Sequence, residues 1–480
     1  MPATTCIRDA SCIVAWDTTR RRHAYLMGGD LAFTGDTLSF VGKHYNGPAD
    51  TTIDGTDLMV MPGLINLHAH PSTEPLFRGV REEHGVPAMY MSGLYERSIA
   101  MQPDAAARKA GKQVAFCEML LSGVTSVADL SSIDEGWIDL AAQSGLRVFL
   151  APSFASARWH LENGWALDYR WDEAAGRRGL DAALALIEEA VRHPSGRLAG
   201  IVSPAQIDTC TADLLRDSFA AAAERNVPFT VHCAQSVNEF LVMVDRHGKS
   251  PVQFAHDLGI LAPRTVLGHA IFTDEHSWVR WHTRTDLGIL AKAGASVAHC
   301  PSPFARYGHT LEDFGRYHRA GVNLGIGTDV APHNVIEEMR LATVLARVAA
   351  RDITTTSVAA LFHAATVGGA DALGRPDLGR LVVGARADVV LVDLANPWMR
   401  PARDPLRSLV FTAADRAVRT VFVHGVKVMD QGRVMTLGHA EALATVAEGQ
   451  QRMLHDAPSR DWAGRSAGQI SPPSLPTIAE

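Results

Sequence analysis

Met61-Pro62-Gly63-Leu64-Ile65-Asn66-Leu67-His68-Ala69-His70 says more about the architecture than any other segment of the chain. Leu64, Ile65 and Leu67 are apolar and β-prone, so they predict a short buried strand. Two histidines close that strand, one residue apart. Alternate residues of a strand share a face, so His68 and His70 project their imidazoles together. Two convergent neutral imidazoles are half of a transition-metal site. Pro71 ends the strand and leaves the pair at its carboxyl end, where a barrel of parallel strands builds its chemistry. A strand-borne His-x-His alone also fits satisfied surface or core histidines, so the metal reading depends on ligands at the ends of later strands.

Further along, strand patterns recur at 124–129, 146–151, 198–203, 228–232, 265–269, 295–299 and 322–329. Helical patterns lie between them, at 103–121, 172–193 and 211–225 among others. Eight strands alternating with helices predict an α/β fold, a (β/α)8 TIM barrel. Short strands at 12–16, 24–27 and 38–42 match a second set at 387–393 and 418–428. The two sets predict a small β-sandwich domain built from both termini. The expected organisation is 1–60 and 376–435 for that domain, 61–375 for the barrel, and 436–480 for a C-terminal helix and tail. Residues 459–480 are rich in Ser, Pro and Gly and are expected to form an extended or loose arm.

The 480 residues are 47% hydrophobic and 20% charged, an ordinary globular composition. A formal charge of −7 gives no electrostatic reason to expect nucleic acid. Six cysteines lack CxxC spacing, which points to reduced thiols and a cytoplasmic address. No signal peptide and no bilayer-spanning run is expected.

His232, His269 and Asp329 fall at the carboxyl ends of expected strands. With His68 and His70 they make four histidines and one aspartate, a donor set for a divalent ion. The motifs Pro-Gly-Leu-Ile-Asn-Leu-His-Ala-His, Leu-Gly-His269, Ala-His299-Cys-Pro-Ser and Gly-Ile-Gly-Thr-Asp329 together resemble the amidohydrolase superfamily. The branch they are most similar to holds triazine hydrolases and the cytosine- or guanine-deaminase-like enzymes. The resemblance implies that His68, His70, His232 and Asp329 bind one divalent ion: zinc, cobalt, manganese or iron. It also implies that His269 stands beside the water on that ion. Asp329 can take that water's proton and pass it to the leaving group, and His269 can stabilise developing negative charge. Two-metal relatives carry a carboxylated lysine on strand four. Residues 198–203 contain no lysine, which favours one metal.

One departure matters. The deaminase-like members place a proton-shuttling glutamate three residues after the strand-five histidine, where this chain has Gln235. An amide hydrogen-bonds but cannot deliver a proton. Glu239, on the following helix, is the candidate replacement. The polar segment 71–91 is too polar for a barrel helix and too long for a tight turn, so it is expected to be a rim loop, with Arg81, Glu82 and Glu83 solvated. With Gln235 it looks similar to the phenylurea and thiocarbamate (molinate) hydrolases. That likeness implies hydrolysis of the carbonyl C–N or C–S bond of a small urea, carbamate or thiocarbamate. The alternative is an aminohydrolase or chlorohydrolase acting on an s-triazine or nucleobase ring. A metal-free assembly protein is disfavoured by the complete ligand set. Tyr90, Trp159, Gln206, His299 and Tyr307 are the expected substrate-side residues, His299 in a supporting place. Asn334 and Glu338 are expected to cap and pack the helix after strand eight. The partner expected is a small molecule, with neither nucleic acid nor membrane, and the resemblance implies a homo-oligomer.

Overall fold

A computed structural model describes residues 2–80 and 89–478; Arg81, Glu82 and Glu83 lie outside them. The eight expected strands form, most of them trimmed at their ends. They are β1 (Leu64–Ala69), β2 (Val124–Asp129), β3 (Arg147–Leu150), β4 (Leu198–Gly200), β5 (Phe229–Cys233), β6 (Thr265–His269), β7 (Ser296–His299) and β8 (Asn323–Ile326). One parallel four-stranded sheet runs β4-β3-β2-β1 and another β5-β6-β7-β8. Single parallel bridges, Val202 with Phe229 and Ala69 with Asp329, join the two sheets at both seams. The pairing therefore follows chain order and returns to β1.

Side-chain alternation explains why these strands read as nearly unbroken apolar runs. Ile65, Leu67, Phe149, Ile201 and Val266 pack in one buried cluster. Leu64, Val127, Val148, Leu150, Leu267 and Val297 pack in another. A parallel sheet covered on both faces needs apolar residues at both parities. β8 is shorter than expected because the chain turns at Asp329, whose φ is +61°.

The helices that bear on the site are α1 (Ser92–Ala100), α2 (Ala105–Leu121), α3 (Val237–His247) and α4 (Val335–Ala350). Two further helices, α5 (His439–Asp456) and α6 (Ala467–Ile470), form the tail. The rim segment departs from its expected loop: Glu74–Phe77 is a buried 3-10 turn, and α1 begins just past the segment's end. Charged residues of that segment and of α1 are neutralised at long range. Arg97 faces Glu74 at 3.6 Å, and Glu96 meets Arg465, 369 positions away in the sequence, at 2.8 Å.

Strands from the two ends of the chain form one nine-stranded sheet where a small sandwich was expected of the termini. Leu58–Pro62 lies antiparallel to Val389–Asp393 at its centre. Val389 and Leu391 enter the sheet's own core, while Val390 and Val392 pack toward the parallel strands. Arg147, at the start of β3, ties the two parts together through a bidentate pair with Asp388 at 2.7 and 3.0 Å. Both side chains are buried. Removing one partner of such a pair strands a buried charge. Asp388→Ala is therefore expected to lower unfolding free energy by about 3–5 kcal/mol, read from the denaturant midpoint. The combined Arg147→Met, Asp388→Leu variant is expected to lose far less, because it buries no unpaired charge.

The tail is docked as far as Ile470, while residues 472–478 are exposed and without helix or strand, as expected of a loose arm. α5 packs along α2 so closely that a Cβ on Gly449 would collide with that of Ala107. α6 buries Ile470 to 2% exposure. Apolar anchors this sparse do not lift the mean composition of residues 459–480, so the segment reads as solvated. All six cysteines are buried and unpaired. Among the described residues no helix is long and apolar enough to cross a membrane.

Candidate metal centre

His68 and His70 stand at the end of β1, His232 on β5, His269 at the end of β6, and Asp329 just past β8. His269 and Asp329 take φ values of +81° and +61°. Non-glycine residues hold this region only where their surroundings over-determine it, a pattern common at functional sites. Asp329 is pinned through its backbone: its N–H donates to the His68 carbonyl at 2.9 Å, and its carbonyl accepts from the His70 N–H at 3.2 Å. Gly268 leaves room for the cluster. A Cβ there would sit 3.1 Å from His68 Cε1 and 3.4 Å from His232 Cδ2.

One donor atom from each of His68, His70, His232 and Asp329 lies within 4.8 Å of every other. The His68 and His70 Nε2 atoms are 3.4 and 3.2 Å from Asp329 Oδ1. His70 Nδ1 faces the Leu130 carbonyl at 3.0 Å, and His232 Nδ1 faces the Ala205 carbonyl at 2.6 Å. A carbonyl only accepts, so both Nδ1 atoms carry protons and both Nε2 atoms present lone pairs. Those two Nε2 atoms stand 3.2 Å apart. Two lone pairs at that distance repel unless a metal ion, or a proton on His70, lies between them. Both ring nitrogens of His68 are buried without a hydrogen-bond partner among the described residues. Three imidazoles and one carboxylate converging in this way fit a divalent ion.

The electrostatics agree. Burial holds His68 below, and His232 and His269 well below, the usual histidine range. They are thus neutral donors. Burial also pushes on His70, but the Asp329 carboxylate outweighs it and raises that group. Burial opposes ionisation of Asp329, yet His269, His68 and His70 hold it well below the ordinary carboxylate value. His269 lies 4.7 Å from the His68 ring and 5.3 Å from the His232 ring, centroid to centroid. It is not one of the four converging ligands, and both its ring nitrogens are buried without a partner among the described residues. An ion held by the four is expected to stabilise the native chain by about 4 kcal/mol at a thousand times its dissociation constant. A thermal midpoint that rises with metal and falls again with chelator checks this.

The ligands open onto a cavity of about 250 Å³ lined by His70, His232 and Asp329. Of the expected substrate-side residues, Trp159, Gln206 and Tyr307 also line it, and so does Gln235. Tyr90 and His299 do not. The Tyr90 hydroxyl donates to the Tyr307 carbonyl at 2.8 Å, which commits it to holding the wall. His299 is buried against Phe314, 6.0 Å between ring centroids, and burial lowers it to about 4. Its Ala-His-Cys-Pro context gave the strand end but not the direction of the ring. Glu239 stays out of the cavity too, because its carboxylate accepts from the N–H groups of Ala234 and Gln235 at 2.5 and 2.9 Å. Asn334 caps α4 by accepting from Ile336 and Glu337, and Glu338 accepts from Ser302 N–H. Sequence reasoning missed Phe304 and the α1 wall of Leu94, Arg97 and Ser98. The 94/97/98/101 spacing was the available signal.

A model of the amidohydrolase family matches residues 59–428. The 5-methylthioadenosine/S-adenosylhomocysteine deaminase of Natronomonas pharaonis is 28% identical over 435 residues, which cover 88% of this chain and 93% of that protein. The enzyme of the same name from Thermococcus kodakarensis is 29% identical over 400 residues, covering 82% and 88%. Among solved structures, the atrazine chlorohydrolase of Arthrobacter aurescens complexed with zinc superposes with a TM-score of 0.79. It is 24% identical and covers 93% of this chain and 100% of that one. An adenosine deaminase of Xanthomonas campestris with bound zinc gives 0.79 at 23% identity, covering 94% and 99%. These structures share the fold with this chain. The narrower likeness to phenylurea and thiocarbamate hydrolases has no counterpart among these four proteins.

Proposed function

The chain belongs to the amidohydrolase family, and on that footing we propose a hydrolase with one divalent ion that expels an amine or halide from a neutral, nitrogen-rich ring. We propose further that the eight-stranded ring is the family's (β/α)8 barrel, with residues 61–375 as its catalytic unit. The observation that carries the activity is the convergence of His68, His70, His232 and Asp329 on a cavity lined by the aromatic rings of Trp159, Phe304 and Tyr307. The deaminase relatives support a ring substrate.

When bound, the ion lowers the pKa of water and polarises the group under attack. Asp329, kept ionised by the facing imidazoles, accepts a proton from the attacking water at a carboxylate oxygen and returns it to the leaving group. His269, kept neutral by burial, has one N–H to give to developing negative charge. Gln235 and Gln206 offer amide donors and acceptors to a planar, uncharged substrate. Trp159 is held in place as an aromatic wall. Its indole N–H donates to Asp208 at 3.2 Å, and its ring stands edge-on to Tyr95.

A specific observation favours a second reading. Gln235 puts a neutral amide in the cavity, while Glu239 is taken up by backbone N–H groups. A urea, carbamate or thiocarbamate carbonyl needs no acid aimed at a ring nitrogen. The deciding experiment loads the protein with zinc, cobalt, manganese or iron and screens nucleosides, nucleobases, s-triazines, phenylureas and thiocarbamates. Ammonia or chloride release from rings supports the first reading. Turnover confined to ureas and carbamates replaces it with the second, and metal-loaded protein inert on every class overturns both.

A further inference from the structure

The α1 wall of the cavity is held from behind by the far end of the chain. Leu94, Arg97 and Ser98 face the cavity. Glu96 points the opposite way on the same helix and is 1% exposed. Its carboxylate accepts from Arg465 Nη2 at 2.8 Å and lies 3.4 Å from the Trp462 indole nitrogen. Arg465 is itself clamped by Asp461 at 2.7 Å, with its guanidinium 5.0 Å from the Trp462 ring. The tail also reaches both flanks of the wall. Gln450 donates to the carbonyls of Leu76 and Arg78 at 2.7 and 2.8 Å, and Arg460 donates to that of Gln102 at 3.3 Å. Arg452 pairs with Asp104, the cap of α2, at 2.7 Å.

A carboxylate this buried stays put only while its cation does. The α1 helix has nine residues, too few for stable helicity by itself. We propose that Arg465 and Trp462 are positioning residues for the substrate: through Glu96 they set where the α1 wall stands, and so how tightly the cavity holds what enters it. This rests on the reading that the cavity beside His70, His232 and Asp329 receives the substrate. Among the described residues no hydrogen bond, ion pair or ring contact links the tail to the four converging residues, so its effect falls on substrate affinity and not on the ion.

The test is Arg465→Ala, compared with Arg465→Lys and with the double variant Glu96→Gln, Arg465→Gln. Hydrogen–deuterium exchange of residues 92–103 and metal content are measured on each, together with KM and kcat on whichever substrate the wild type turns over. Arg465→Ala is expected to speed exchange across 92–103 and to raise KM about tenfold, with kcat and metal content kept. Lysine is expected to restore part of the loss, and so is the double variant, which removes the lone charge at Glu96 though not that of the buried Asp461. If Arg465→Ala does not fold, Trp462→Phe, which removes the indole N–H with its five-membered ring but keeps an aromatic face for Arg465, is expected to move both readouts the same way by less. Unchanged exchange overturns the proposal, and so does faster exchange with an unchanged KM, which reduces the tail to a structural support. If the wild type turns over nothing, the functional reading fails separately, and the exchange measurement still decides whether the tail holds the wall.

Discussion

Asp329→Asn is expected to lower turnover by about 10²–10⁴-fold, the range a positioned acid–base group contributes. The substitution keeps the side chain's shape and one oxygen but removes the charge. In the proposed mechanism that charge has two duties. It completes the ligand set with His68 and His70, whose Nε2 atoms stand 3.4 and 3.2 Å from Oδ1, and it is the one carboxylate among the four converging ligands. The facing imidazoles hold it ionised against burial, so it takes a proton only when one is delivered by the reaction. An amide can do neither. Two measurements separate the duties. If occupancy falls in step with rate, Asp329 acts mainly as a ligand. If excess metal restores occupancy but not rate, the proton transfer is what was lost. Wild-type turnover at full occupancy would remove Asp329 from the chemistry.

Gln235→Glu is expected to give the largest gain. Gln235 lines the cavity with His232 and Asp329 and is 7% exposed. A carboxyl in that place is raised by burial and by the neighbouring Asp329 charge, so it stands protonated and can deliver a proton to a ring nitrogen. Release of ammonia from aminated heterocycles is expected to rise by about 10²-fold or more. Hydrolysis of ureas and carbamates, which draws on Asp329 and His269, is expected to change little. Glu239 does not supply this acid in the native chain, because two backbone N–H groups already occupy it. A variant that loses activity on every class would show that the neutral amide, and not a missing acid, is what the substrate requires.

The convergence of His68, His70, His232 and Asp329 was legible because each lies at, or a few residues past, the end of a strand whose apolar run is unmistakable. The signal in Leu64-Ile65-Asn66-Leu67 is local, and so is that in Thr265-Val266-Leu267-Gly268. Burial on both faces makes such runs continuous, and His68, His232 and His269 interrupt them at or near the carboxyl ends of the strands. What stayed hidden is what distant residues decide. Nothing local to Glu96 and Arg97 tells that Arg465 and Glu74 will stand beside them. Ser, Pro and Gly in 459–480 suggest a loose arm until Ile470 and Asp461 are seen buried. Tyr90 and His299 have the right chemistry in the right neighbourhood, yet a hydrogen bond to Tyr307 and packing on Phe314 turn them away from the cavity. Strand ends could be placed from sequence; the direction of a side chain on a rim could not.

Everything proposed for this chain requires that residues far apart in sequence share one cation. Metal analysis of the purified protein, joined to anomalous scattering from crystals grown with zinc, tests that requirement without recourse to any substrate. One ion per chain within bonding distance of His68, His70, His232 and Asp329, lost when His70 and His232 are both changed to alanine, is the predicted result. A folded protein that binds no divalent ion, or an ion seated elsewhere with those four side chains left apart, would contradict it.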